Sequence, residues 1–486
     1  MLFPAFRGGV HPDGFKELSS SLPIHYPALP DRLFVPLRQH AGSEAIAIVK
    51  TGELVLKGQM IAKAGRGLSA PVHAPTSGKV INIAPVISAH PSGLATNSIV
   101  IETDGLDKAY INEEPINPFS LPTDQLAKKI ADAGIVGMGG AAFPAAVKLS
   151  SAQNKNIKTL IINGGECEPY LTADDLLMCE RPQEIILGAR LIRYIIGCQK
   201  IVVAIEDNKP NAIQSMQRVA ERFDNVAIKV VPSRYPMGSA KQLIQAVTGK
   251  EVPSGGRSSD VGVLMHNVAT AYAIQQCLVK HTPLISRIVT VSGSAIAKPQ
   301  NVEALIGTPI GHLIDHCGGT SEKLDRLLLG GPMMGQIVAS DQVPLMKGTA
   351  GVLALTRKEM SQPAAAPCIR CARCVDACPM GLVPLEMANH ARHQDFDGAK
   401  EFGLSDCILC GSCAYVCPSH IPLVHYFQYA KGELSQQRAN QQHLAHTQLL
   451  AEAKRERQNK EAEAKAAAKA AKAAKRKAKR SVEASS

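Results

Sequence analysis

The chain has 486 residues, too many for one ordinary domain, so three or four are expected. Hydrophobic residues make up 45% of it, enough for real cores, but tryptophan is absent and aromatics are 4%, so those cores must be aliphatic and alanine-rich. The net charge of +11 is mostly a tail property: residues 450–486 carry 12 Lys or Arg against 5 Glu, so basicity says little about the folded domains.

No run of about 18 apolar residues lacks a charge, and the most apolar region, 184–205, is broken by Arg190, Arg193 and Lys200. No membrane span is expected. The first residues lack a basic segment followed by an apolar one, so no signal peptide is expected either, and the protein reads as soluble or peripheral to a membrane. There are 13 cysteines, an odd number, and eight of them crowd between Cys368 and Cys417. That pattern argues for a reducing compartment and against a secreted disulfide framework.

Residues 1–44 are rich in Pro and Gly and read as an irregular lead-in. From Ala45 to Glu102 short strand-like runs alternate with turns, as in Val49-Lys-Thr-Gly-Glu-Leu-Val-Leu-Lys-Gly and His73-Ala-Pro-Thr-Ser-Gly-Lys-Val-Ile-Asn-Ile. This resembles the biotinyl/lipoyl-like hammerhead. The expected hairpin tip, Pro71 to Ser77, holds no lysine, so no covalently carried cofactor is expected.

From Leu121 helix and strand patterns alternate. Thr123 is placed to cap a helix bearing Leu126, Ile130 and Ala133, which Gly134 ends. Strands are predicted at 159–163, 201–205, 226–231 and 261–265. One helix is predicted from Pro182 to Ile196, and another opened by Asn208 and Pro210. Alternating βα units imply a mostly parallel sheet covered by helices. Residues 284–320 return to strands with one short helix, as in a small β-grasp domain. After about Gln436 the chain becomes an Ala/Lys-rich tail suited to a single helix or to disorder. The expected fold class is thus multidomain α/β. The lead-in is 1–44, the hammerhead-like β domain 45–115, the α/β nucleotide-binding domain 116–283 and the β-grasp (SLBB-like) domain 284–360. A cysteine-rich α-helical module covers 361–435, and the tail 436–486.

The cysteines carry the strongest chemistry. Cys368, Cys371, Cys374 and Cys378 precede Pro379, and Cys407, Cys410, Cys413 and Cys417 precede Pro418. Both runs fit C-x2-C-x2-C-x3-C-P, the bacterial ferredoxin spacing, in which the fourth cysteine ligates the other cluster. One 4Fe–4S cluster is assigned to Cys368, Cys371, Cys374 and Cys417, and a second to Cys407, Cys410, Cys413 and Cys378. Zinc sites carry paired knuckles rather than four cysteines in this order twice over.

Two further segments draw attention. Gly134-Ile-Val-Gly-Met-Gly-Gly-Ala-Ala-Phe-Pro-Ala-Ala-Val-Lys148 imitates a dinucleotide fingerprint, but it follows a helix instead of a strand. It reads either as a packing turn or as a phosphate cradle at the start of a helix from Ala142 to Leu149, with Lys148 adding charge. In Asn163-Gly-Gly-Glu-Cys-Glu-Pro169 two acids flank a cysteine just after a buried strand, at the sheet edge where α/β proteins bind ligands. Cys179, Cys198, Cys277 and Cys317 read as small buried hydrophobes, and Met333-Met334 as packing.

These segments and His266-Asn-Val-Ala-Thr270, taken in order, look like the NADH- and FMN-binding subunit of respiratory complex I. The hammerhead, the β-grasp domain and the double ferredoxin run narrow the match. So do Gly165-Glu-Cys-Glu-Pro-Tyr-Leu-Thr-Ala-Asp174 and Gly330-Gly-Pro-Met-Met-Gly335. Over residues 1–435 the chain resembles the C component of the bacterial Rnf (Rsx) ion-translocating electron transport complex.

The resemblance implies that Gly137, Gly139, Gly140 and Lys148 hold an FMN phosphate and that Asn163 and Asn267 contact the flavin. Glu166 and Glu168 would line the NADH pocket, and Phe143 would stack on a ring. It implies a peripheral subunit on the cytoplasmic side of the bacterial inner membrane, oxidising NADH through FMN and two 4Fe–4S clusters. Its partners would be the other subunits of that membrane complex and ferredoxin or a ferredoxin-like subunit; no nucleic acid is expected. The alternative is a non-catalytic iron–sulfur relay without its own flavin site. Gly165, Ala269 and Ala240 stand where acidic residues occur in the related pattern.

Overall fold

In the computed structural model the described residues are 6–90, 92–110, 116–153, 155–360 and 363–483, without the side chains of 360 and 478–483. The ends of the hammerhead-like and tail segments, 111–115 and 484–486, and the first five residues of the lead-in lie outside them. The chain divides into two units, residues 1–385 with 406–424, and residues 386–405 with 425–486.

The first unit opens with two small sheets. Strands β1 (Arg32–Pro36), β2 (Ile46–Ala47), β3 (Leu54–Val55), β4 (Met60–Lys63), β5 (Val72–His73), β6 (Gly78–Ile87) and β7 (Ala95–Thr103) form sheets ordered β1-β7-β6-β3 and β2-β4-β5. Alternating apolar residues, among them Leu33, Val35, Ile61, Val80, Ile99 and Ile101, fill the core that both sheets share. Two expectations are corrected. The lead-in is not irregular throughout, because β1 pairs antiparallel with β7. Residues 71–77 do not form an exposed tip: all seven are buried, and the Pro71 carbonyl accepts a hydrogen bond from Lys347.

The α/β layer follows as α1 (Thr123–Asp132), α2 (Ala145–Gln153), β8 (Thr159–Gly164), α3 (Ala173–Glu180), α4 (Pro182–Ile196), β9 (Lys200–Glu206), α5 (Pro210–Ala220), β10 (Val226–Val231), α6 (Ala240–Thr248), β11 (Val263–Asn267) and α7 (Val268–Lys280). The sheet is wholly parallel, in the order β10-β9-β8-β11. Strand residues alternate between two cores: Leu160, Ile162, Ile201 and Val203 face the helices α1, α2, α4 and α7, while Ile161 and Ala204 meet Leu243 and Ile244 of α6. The helix predicted from Ala142 starts at Ala145 instead, because Ala142 has a left-handed φ of 45° that a helix cannot continue. Thr123 and Asn208 do not cap; Pro122 and Lys209 stand at those positions. The last strand starts at Val263, since Val261 closes a 3-10 turn.

A fourth sheet, β13-β12-β16-β14-β15, comprises β12 (Ser286–Ser292), β13 (Gln300–Leu305), β14 (Leu324–Leu329), β15 (Gln336–Val338) and β16 (Gly351–Thr356), and it packs on α8 (Ile310–His316). After α9 (Arg357–Met360), the cysteine segments of this unit carry α10 (Arg373–Asp376) and α13 (Ser412–Tyr415). Between them in sequence come α11 (Pro384–Arg392) and α12 (Phe396–Glu401), and after them α14 (Leu423–Glu483). Within the second unit Phe396 meets Tyr429 edge-on at 5.8 Å, Arg392 lies over Tyr426, and Lys431 donates to the Ser405 carbonyl. The tail is therefore helical through Glu483, and position 436 is no break.

Candidate functional site

Asn267 ends β11 and is the register partner of Asn163, one residue from the end of the neighbouring parallel strand β8. The sheet edge thus brings together two residues far apart in sequence, at the end where α/β folds place ligands. Asn267 Oδ1 accepts the Ala269 N–H at 2.9 Å and caps α7, while its Nδ2 donates to Asp174 at 2.6 Å. Asn163 Oδ1 accepts the Gly165 N–H at 2.8 Å, and its Nδ2 donates to the Gly238 carbonyl at 2.9 Å.

The glycine loop lies against this pair. It is fastened at its feet: Gly137 N–H donates to the Phe143 carbonyl at 2.8 Å, and Met138 N–H to Thr270 Oγ1 at 2.9 Å. Gly139 and Gly140 form an exposed crest, and a Cβ added to Gly139 would stand 3.2 Å from that of Asn267. Bare backbone over the strand ends is a cradle that side chains would fill, and it fits a ligand that must approach the main chain closely. Phe143 is exposed beside it. Lys148 does not join them. Its side chain turns to the carbonyl of Met265 on β11, and burial lowers its pKa to about 8. The expected phosphate role of Lys148 has no geometric support, because α2 starts three residues later than the sequence suggests and carries the lysine to the sheet.

The two acids diverge. Glu166 accepts the N–H groups of Asp174 and Asp175 at 2.9 and 3.3 Å, at the start of α3. Glu168 reaches the other way: its Oε2 accepts the Met333 N–H at 3.0 Å, and its Oε1 is buried with no hydrogen-bond partner among the described residues. Burial pushes Glu168 up to about 7, against the pull of the Met333 and Met334 backbone. Burial and the neighbouring Glu166 also raise Asp174 and Asp175.

Several site residues were invisible at the sequence level. Lys16, in the lead-in, donates to the carbonyls of Glu166, Glu168 and Leu171 at 2.8, 3.0 and 2.6 Å. Lys209 and Glu206 form a fully buried pair at 2.7 Å beneath the same loop. No local pattern marks Lys16, whereas Thr270 and Asp174 lay inside the motifs already singled out. Gly165 has a reason too. A Cβ there would press on Asn163 Oδ1 at 3.1 Å and on Gly238 Cα at 3.3 Å. Gly238 N–H in turn donates to the sulfur of Cys167 at 3.3 Å.

Among the described residues none of the thirteen cysteines is joined in a disulfide. Burial raises Cys374, with Cys368 and Cys417 near enough to add to the shift; burial likewise raises Cys413, with Cys410, Cys407, Cys378 and Cys374 adding. Among the described residues no three stand close enough to share one metal ion. The two loops repeat each other's backbone, with left-handed φ at Arg370 and Ala372 in the first and at Leu409 and Gly411 in the second. Tyr235 Oη donates to the Cys410 carbonyl at 2.6 Å, and Gly9 N–H to the Ala377 carbonyl at 2.9 Å. Val10, Tyr235, Ala377 and Cys410 share an apolar cluster against which Cys167 and Met333 pack.

Four family models match successive parts of the chain: the RnfC barrel sandwich hybrid domain over residues 4–106, the Nuo51 FMN-binding domain over 130–276, the SLBB domain over 288–336 and the 4Fe-4S dicluster domain over 367–421. The C component of the ion-translocating oxidoreductase complex of Rhodobacter capsulatus is 46% identical over 436 residues, covering 90% of this chain and 84% of that one. This chain belongs to the RnfC family. The corresponding protein of Haemophilus influenzae strain 86-028NP is 44% identical over 459 residues, covering 94% of this chain and 69% of its own. An NAD+-reducing NiFe hydrogenase in the H2-reduced state aligns at 18% identity with a TM-score of 0.46, over 61% of each chain, too distant to bear on function. As an RnfC protein the chain is an electron-transport subunit of an oxidoreductase complex, works with the other subunits of that complex, and has FMN and 4Fe–4S clusters as cofactors. Among the described residues no helix is long and apolar enough to cross a membrane.

Proposed function

We propose that this chain is the NADH-oxidising entry subunit of its complex, lying peripherally on the cytoplasmic side of the inner membrane. FMN, when bound, supplies the conversion between the two-electron chemistry of a nicotinamide and the one-electron chemistry of iron–sulfur clusters. The chain's own residues position it. Asn163 and Asn267 present amides at the ends of β8 and β11, Gly137, Gly139 and Gly140 leave the backbone accessible, and Phe143 offers a ring face. Glu166 holds the start of α3 and Glu168 holds the 331–334 turn, so both shape the pocket through the backbone they fix. The cluster ligands are Cys368, Cys371, Cys374 and Cys417 in one set and Cys407, Cys410, Cys413 and Cys378 in the other.

The observation that carries this reading is the continuity of the two sites. The loop after β8 touches Gly238 through Cys167, and Tyr235, three residues before Gly238, holds the Cys410 carbonyl. The deciding experiment is an anaerobic visible spectrum of the FMN-supplied protein before and after NADH. Bleaching of the flavin and of the cluster band, with about eight irons per chain, is the expected result. Clusters that NADH leaves unchanged would reduce the chain to an iron–sulfur relay fed by another subunit.

A further inference from the structure

The long helix α14 changes character along its length. Among the described residues Phe427, Ala430 and Leu434 are its last buried side chains, and every side chain from Ser435 to Lys477 is exposed. Residues 451–463 carry four acids and four cations, net zero, at spacings that pair along a helix: Glu452 stands three before Arg455, and Glu456 four before Lys460. That stretch is suited to stand in water on its own. After Glu463 the acids stop. Residues 464–480 hold six lysines, two arginines and nine alanines, a charge of +8 with nothing to offset it. Lys465, Lys469, Lys472 and Arg476 follow one another at spacings of 4, 3 and 4, which puts them on one face of the helix. The stripe runs for about 16 Å. Ala467, Ala470, Ala471 and Ala474 take the opposite face.

Such a stripe destabilises the helix that bears it. Like charges four apart repel, at 465 and 469 and again at 472 and 476, where the preceding turns alternate acids and cations. A face meant only for water has no reason to drop its acids. An anionic partner removes the repulsion and adds attraction. Three features select among anionic partners. No apolar side chain larger than alanine stands between 451 and 480, so nothing there can anchor in the pocket of a protein partner. No aromatic stands there to stack on bases. The charges are mostly lysines, point charges without the fork that arginine uses for bidentate recognition. Evenly repeated point charges suit a flat sheet of negative charge. We infer that the Lys465–Arg476 stripe lies against the anionic phospholipid headgroups of a membrane, held by charge alone with nothing inserted. This deepens the peripheral position proposed above, on which it rests for a membrane within reach. It gives the chain a lipid contact of its own, besides its partner subunits.

The test uses the full chain and co-sedimentation with vesicles at about 0.1 M salt. One set of vesicles is phosphatidylcholine with about 30% phosphatidylglycerol, the other phosphatidylcholine alone. The variant is Lys465→Gln/Lys469→Gln/Lys472→Gln/Arg476→Gln. The control, Lys454→Gln/Arg455→Gln/Arg457→Gln/Lys460→Gln, removes as many cations from the self-paired stretch. The native chain should bind only the anionic vesicles, the stripe variant at least about tenfold more weakly and the control within about threefold, and binding should fade as salt approaches about 0.5 M. Circular dichroism should show the same helix content in all three. No preference for anionic vesicles, or equal losses in the stripe and control variants, overturns the proposal. A native chain that ignores the vesicles but binds duplex DNA or polyglutamate through the stripe overturns it in favour of a nucleic acid or an acidic protein. The NADH-driven spectrum is recorded on the native chain and the stripe variant and should be the same in both. If NADH bleaches neither while the stripe still binds vesicles, the lipid contact stands and the NADH reading falls.

Discussion

The hydroxyl of Tyr235 donates a 2.6 Å hydrogen bond to the backbone carbonyl of Cys410. Tyr235 is 2% exposed and Cys410 is 7% exposed, so no water stands ready to replace this bond. It ties the loop before α6 to a proposed cluster ligand. Tyr235→Phe keeps the ring and removes the donor, leaving a buried carbonyl unpaired. The expected cost is about 1–2 kcal/mol, seen as an earlier urea midpoint for loss of cluster absorbance with iron content unchanged under native conditions. An unchanged midpoint would show that the bond does not help hold the loop.

Gly139→Asp places a side chain where even a Cβ meets Asn267 at 3.2 Å. It should abolish flavin binding and leave the clusters in place, read by flavin fluorescence after denaturation beside an iron assay. Loss of both cofactors together would mean that the loop supports the fold and not the flavin.

Cys371→Ala should remove one cluster selectively, reducing iron by about half, and Cys410→Ala should remove the other. Paramagnetic resonance of the two reduced variants should show two different single-cluster signals. If neither variant loses iron, the ligand assignment is wrong.

Glu168 supplies a pH signature. Burial raises its carboxyl from an ordinary 4.5 to about 7, so between those values the folded chain holds a proton that the unfolded chain has released. The stability contributed by this group falls as pH rises through that window, and its cost is complete above 7. Glu168→Gln keeps an acceptor for the Met333 N–H and removes the charge. The variant should be more stable than the native chain at pH 8, by on the order of 2 kcal/mol, and close to it at pH 5. Thermal melts at the two pH values measure this, and a gain of equal size at both would rule out ionisation as its cause.

Much of this architecture can be read from the sequence where the signal is local. The run Thr159-Leu-Ile-Ile-Asn163 is apolar enough to be a buried strand, and β8 lies there. Pro182 at a first turn and Gly197 at a C-cap bound α4. The cysteine spacing is a chemical signature in itself. What the sequence conceals is contact at long separation. Lys16 looks like any solvated lysine, yet its ammonium gathers three carbonyls of the 166–171 segment. Lys148 looks free to meet a phosphate, and only the left-handed backbone at Ala142 and the late start of α2 reveal that it turns to Met265. Glu166 and Glu168 read as a pair, but the turn after β8 sends them to opposite neighbours.

The lead-in has a consequence for biosynthesis. Val10 pairs with Tyr235, and Gly9 bonds to Ala377, the residue before a proposed iron ligand. Residues 9 and 10 leave the ribosome roughly half a minute before Ala377 at ordinary elongation speeds. The segment therefore waits without that partner while much of the polypeptide is made. Its full seating marks the moment when the cysteine segment has emerged and folded back, so a segment made well before its partners is among the last to find its place.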